Sequence, residues 1–169
     1  MMKTSPAYAS KLIKQKMEAV RELLSIEQQT STTTACVDEQ VDELRNAYDF
    51  KATQEKIDKL NDDIIKIKHA INLFNTTYIL PGLGYSIDMA LVKMKMLSDK
   101  KIRMGRMKAV RPVVRNGAGF GNTQPEYTYR NYEAEDAVAE YDKTVDELTK
   151  IQLALDEANL QAVIEIDAE

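Results

Sequence analysis

The chain has 169 residues, 44% apolar and 30% charged, with a net charge of −4. That fits one domain, or one elongated helical unit with a smaller appendage, and argues against two independent cores and against disorder. With no Trp and three Phe, the core must come from Leu, Ile, Val, Met and Tyr; the single cysteine, Cys36, excludes an internal disulfide and fits a reducing compartment.

Ser5 followed by Pro6 reads as an N-cap and first helical position, because proline lacks the donor that a first turn leaves orphaned. Leu12, Ile13, Met17, Val20, Leu24 and Glu27 form an amphipathic stripe that runs to about Gln29, roughly 36 Å of helix. Thr30 to Thr34 breaks it, since Ser and β-branched Thr are poor helix material. Helix resumes near Asp38 with Val41, Leu44 and Tyr48 in one register, and Asp49 to Thr53 hosts a kink, a phase change or a short loop.

Ile57, Leu60, Ile64, Ile67, Ile71, Phe74 and Tyr78 then alternate at steps of three and four, the heptad spacing of a helix packed on a helix. Pro81, Gly82 and Gly84 turn the chain. Ser86 caps a third helix carrying Ile87, Ala90, Leu91, Met94, Leu97, Met104 and Met107, which stops at Arg111 before Pro112. Val113 to Tyr132 is loop with short strand candidates: Tyr127 and Tyr129 alternate as a half-buried strand would, and Val163 to Ile166 is β-branched enough to pair with them. A last helix starts near Tyr132 and ends near Leu160, with a second seam of Ala134, Val138, Tyr141, Val145, Leu148, Gln152, Leu155 and Asn159. The two seams most simply cover each other.

The expected fold is therefore mainly α, a long antiparallel helical hairpin or bundle that allows a small β element from residues 113–130 and 162–167. It is expected as one helical domain over residues 1–169, with an irregular glycine-rich insertion at about 112–131. Gln152 and Asn159, if buried, need partners, and Asn72 and Asn75 are the candidates for a polar pair that sets helix register.

At Lys66 to Thr77 (KIKHAINLFNTT), Ser86 to Leu97 (SIDMALVKMKML) and Ile151 to Asp167 (IQLALDEANLQAVIEID) the chain resembles the septicolysin-like family of small bacterial helical proteins. The resemblance covers the order of elements almost end to end and falls on Ile71, Asn72, Asn75, Gln152 and Asn159. It implies a helical hairpin without an established activity. The cytolysin-like name attached to some relatives would suggest membrane damage, but this chain shows no spanning segment and no signal-like apolar stretch, so a cytoplasmic location is expected.

Charge is unevenly spread: residues 81 to 125 hold nine Lys/Arg against Asp88 and Asp99, and residues 126 to 169 hold three against thirteen acids. Lys93, Lys100, Lys101, Arg103, Arg106, Lys108, Arg111 and Arg115 are the candidate contacts for RNA or another polyanion, though no aromatics interleave them for base stacking. A solvated face answering the acidic last helix is the favoured reading. Gly117, Gly119 and Gly121 lack the strand, helix start or Gly-Lys-Ser/Thr that a phosphate loop needs. His69 stands off the seam without a ligating partner, and Asp62 with Asp63, like Glu135 with Asp136, point to different sides of a helix. No catalytic constellation, metal site or cofactor site is read. The expected role is a structural or interaction module acting as a homo-oligomer, with a protein partner admissible, nucleic acid as the alternative and membrane activity disfavoured.

Overall fold

The structure, a computed structural model, describes residues 1–45, 47–117 and 124–167. Its elements are β1 (Met2–Thr4), α1 (Pro6–Thr30), α2 (Val41–Leu44), α3 (Phe50–Thr77), α4 (Ile87–Lys108), β2 (Val113–Arg115), β3 (Tyr127–Tyr129), α5 (Ala134–Gln161) and β4 (Ile164–Ile166). The protein is mainly α, with two small antiparallel sheets of two strands each, β1 with β4 and β2 with β3. The chain divides into two compact units, Met1–Tyr78 with Glu157–Glu169, and Ile79–Asp156.

In the first unit Ser5 caps α1 by accepting from the Tyr8 amide at 3.2 Å, and Pro6 occupies the first turn. Asp49 caps α3 by accepting from the Ala52 amide at 3.0 Å, which is the event the sequence marks as a kink or loop. The predicted α3 seam is inward as expected: Ile57, Ile64, Ile67 and Phe74 are buried, with Leu60, Ile71 and Tyr78 half-buried. Its cover is α1, running antiparallel, so that Lys16 meets Asp63 and Glu27 meets Gln54. The α1 stripe is rotated from the expected one: Met17 and Leu24 are exposed, while Lys16 and Leu23 turn partly inward beside Ala9, which is fully buried. Helix between Asp38 and Tyr48 shrinks to the single exposed turn α2.

Strand pairing also departs from expectation. Ile164 to Ile166 pairs with Met2 to Thr4, not with Tyr127 to Tyr129. Ile164 and Ile166 are buried on the face packed against α3, and Lys3 and Glu165 pair at 3.0 Å on the other face, the two-residue alternation of a strand. Residues as far apart as these carry no local signal for each other, which is why sequence pattern points to the wrong partner.

The second unit opens with the turn through Pro81, where Gly82 and Gly84 take φ of 75° and 74°, the left-handed region that favours glycine, while Leu80 is fully buried. Ser86 accepts from the Met89 amide at 3.3 Å and caps α4. Helix α5 returns antiparallel along α4: Lys100 meets Glu140 and Lys93 meets Glu147, seven residues on in each helix, and just beyond the helix ends Tyr132 meets Met107 and Arg130 meets Val110. The α5 seam is corrected by one position at alternate layers, so Ala137, Thr144, Ile151 and Ala158 are buried where Val138, Val145, Gln152 and Asn159 are expected. Tyr141, Leu148 and Leu155 belong to both versions and stay inward. Thr144 goes inward at little cost because its hydroxyl donates to the Glu140 carbonyl at 2.6 Å.

Candidate functional site

Polar chemistry in the second unit is concentrated on the α4–α5 ladder. Lys93 Nζ lies 2.5 Å from Glu147 Oε1 and 5.2 Å from the centre of the Tyr85 ring. The Glu147 carboxylate raises the Lys93 ammonium above its ordinary value, against a smaller opposing effect of desolvation. Lys100 donates to Glu140, and that bond, with the Lys100 and Lys143 charges behind it, holds Glu140 below the ordinary carboxylate value of 4.5. A groove of about 640 Å³ lies beside this ladder, lined by Gly82, Tyr85, Lys93, Lys143, Asp146 and Lys150 among others.

The predicted polyanion residues therefore split into two groups. Lys93 and Lys100 are held by acids of α5, as the solvated-face reading expects, and Lys108 sits 3.7 Å from the centre of the Tyr141 ring. Lys101, Arg103, Arg106, Arg111 and Arg115 are exposed and have no ion pair among the described residues.

The β2–β3 hairpin continues from this basic end. Val113 stands opposite Tyr129 and Arg115 opposite Tyr127, so these four share one face. Tyr127 and Tyr129 are 46% and 62% exposed, not the half-buried strand expected, with ring centres 6.4 Å apart. The hairpin is anchored: Arg130 donates its backbone amide to Pro112 at 2.9 Å and its guanidinium to the Tyr132 and Val110 carbonyls, while the Tyr132 hydroxyl donates to the Met107 carbonyl at 2.7 Å. Sequence reasoning finds no aromatics among the cations because it searches along α4, whereas the tyrosines arrive on a strand formed later in the chain. Gly119, Gly121 and the residues after them to 123 lie outside the described residues, and Gly117 is exposed with no neighbour on its Cα side.

The register pair is not found. Asn72 and Gln152 are exposed, Gln152 donates to Asp156 at 2.9 Å on its own helix, and Asn75 and Asn159 are only half-buried. Asp63, read as one of an undistinguished acidic pair, is instead buried and takes Lys16 at 2.5 Å. The signal available for it was its position one step before Ile64, on the inward side of α3. Near the other end of the same pairing, the Tyr48 hydroxyl is buried beside Glu27, and burial first and that carboxylate second raise its ionisation above the ordinary tyrosine value. His69 and Cys36 are exposed, and among the described residues no three His, Cys, Asp or Glu side chains gather as a metal site. Among the described residues no helix is long and apolar enough to cross a membrane.

No family model matches the chain, and no curated protein matches it. It is similar to a crystal structure of a functionally unknown conserved protein from Corynebacterium diphtheriae, with a TM-score of 0.60 at 12% identity, over 97% of this chain and 100% of that one. That likeness is one of fold alone. It carries no residue-level role to the ladder or to the hairpin.

Proposed function

We propose that the protein is a structural, self-associating helical module that uses the outer face of α4 as its contact surface. The observation that carries this reading is the strip Met89, Val92 and Met96, spaced three and four residues apart, exposed, and lining with Tyr85 a groove of about 290 Å³. Apolar helix surface of this kind is ordinarily covered by another protein surface. The flanking charges favour a second copy as the cover: Asp88 precedes Val92 by four residues, and Lys95, whose ammonium also meets Asp99 of its own helix at 2.7 Å, follows it by three. Two α4 helices run antiparallel about Val92 would set each Asp88 beside the other copy's Lys95, the self-complementarity that a two-fold interface requires. The free, exposed Cys36 fits a reducing, cytoplasmic setting, and the septicolysin-like resemblance brings no competing activity.

Light scattering on the purified chain tests this. Wild type at high micromolar concentration is expected at a multiple of the chain mass, and Val92→Glu with Met96→Glu at the mass of one chain with an unchanged helical circular dichroism spectrum. A wild-type protein that stays monomeric overturns the reading.

A further inference from the structure

We propose that the basic end of α4 together with the paired strands β2 and β3 binds single-stranded RNA, a site separate from the apolar strip used for self-association. Between Asp99 and Glu126 the sequence holds seven Lys/Arg and no acid. Of these, Lys101, Arg103, Arg106, Arg111 and Arg115 have no ion pair among the described residues, whereas Lys93 and Lys100 further back are held by acids of α5. The acidic last helix thus answers the first half of the basic segment and leaves the second half to an outside anion.

A bare patch of cations would suit any polyanion. The hairpin narrows the choice. Tyr127 and Tyr129 rise from one face of β3 with ring centres 6.4 Å apart, each exposed over about half its surface, and Arg115 stands directly across from Tyr127 on that face. Exposed rings next to unpaired guanidinium groups are what bases and phosphates of an unpaired strand require together: each ring stacks on one base and the cations track the backbone. Three-residue strands are too short to fill a duplex groove, and bases stacked inside a duplex cannot reach the rings. The loops and ends of RNA present unpaired bases, so single-stranded RNA is the occupant put to the test, with oligothymidylate as the DNA comparison. The anchoring of Arg130 and Tyr132 to the end of α4 fixes the rings relative to Arg111 and Arg115, so little ordering is needed on binding.

The test is fluorescence anisotropy of a labelled oligouridylate with the full chain, beside heparin, oligothymidylate and an RNA duplex. With four or five phosphate contacts, affinity for oligouridylate is expected to fall on the order of 50- to 130-fold between about 50 and about 200 mM salt. Tyr127→Ala and Tyr129→Ala should each weaken it at least about fivefold, while Tyr129→Phe keeps it and heparin binding does not change. Arg111→Gln with Arg115→Gln should flatten the salt dependence, and the scattering mass of all these variants should stay that of wild type, which separates this site from the α4 strip. No binding to oligouridylate, tighter binding to thymidylate or duplex, or alanine variants that bind oligouridylate as wild type does, would each overturn it.

Discussion

Lys16 of α1 and Asp63 of α3 meet at 2.5 Å, with the carboxylate 7% and the lysine 23% exposed, making this the most enclosed ion pair among the described residues. A charge this far from water is favourable only while its partner is present. Lys16→Met is therefore expected to destabilise the first unit by about 1–3 kcal/mol, less than a fully enclosed pair because water still reaches the lysine. Lys16→Met combined with Asp63→Leu should recover most of that loss. Urea midpoints for the three proteins decide it; a double variant as weak as the single one would mean the pair contributes net stability.

Two glycines are expected to respond in opposite directions. A methyl group at Gly105 in α4 would rest 3.6 Å from a ring carbon of Tyr141, an ordinary contact, so Gly105→Ala should stabilise by roughly 0.5–1 kcal/mol. At Gly82 there is open space but a φ of +75°, and Gly82→Ala should destabilise by about 1 kcal/mol. Thermal melts of both variants beside wild type test the pair of signs.

Position 151 decides the rotation of α5. Ile151 is 0% exposed, so Ile151→Ala should cost about 2–5 kcal/mol, whereas Gln152→Ala, at an exposed site, should stay within about 0.5 kcal/mol. Equal costs at the two positions in denaturant titrations would contradict the observed seam.

Stability should depend on pH from both sides through the α4–α5 ladder. Glu140 is held below its unfolded value of 4.5, so its contribution is present above that value and is lost as pH falls through the lower, folded one. Lys93 is raised above 10.5, so its contribution is present below that value and is lost as pH climbs through the higher, folded one. Glu140→Gln is expected to flatten the acid limb of the urea midpoint against pH and leave the alkaline limb unchanged. An acid limb as steep as that of wild type would remove Glu140 from this role.

The helices, their caps at Ser5 and Ser86, and the inward seam from Ile57 to Tyr78 were legible in the sequence because each depends on residues within a few turns of one another. Of the candidate site, the run of cations was legible. Which of them carry an acid was not, since that depends on how α5 lies along α4. The same reason explains the misplaced α5 seam: Val138 and Val145 look more apolar than Ala137 and Thr144, yet small residues and a self-bonded hydroxyl are buried, while Val138 is exposed and Val145 only half-buried. Sequence by itself determined the four long helices and which face of α3 is dry, while the helix it suggested between Asp38 and Tyr48 is a single turn. Tertiary structure alone decided that α1 covers α3, that Met2 to Thr4 pairs with Ile164 to Ile166, and that Tyr127 and Tyr129 stand at the basic end of α4. Helix periodicity is written into neighbouring residues, whereas the choice of partner is a competition among distant surfaces, settled by packing and by buried charge such as Asp63 finding Lys16.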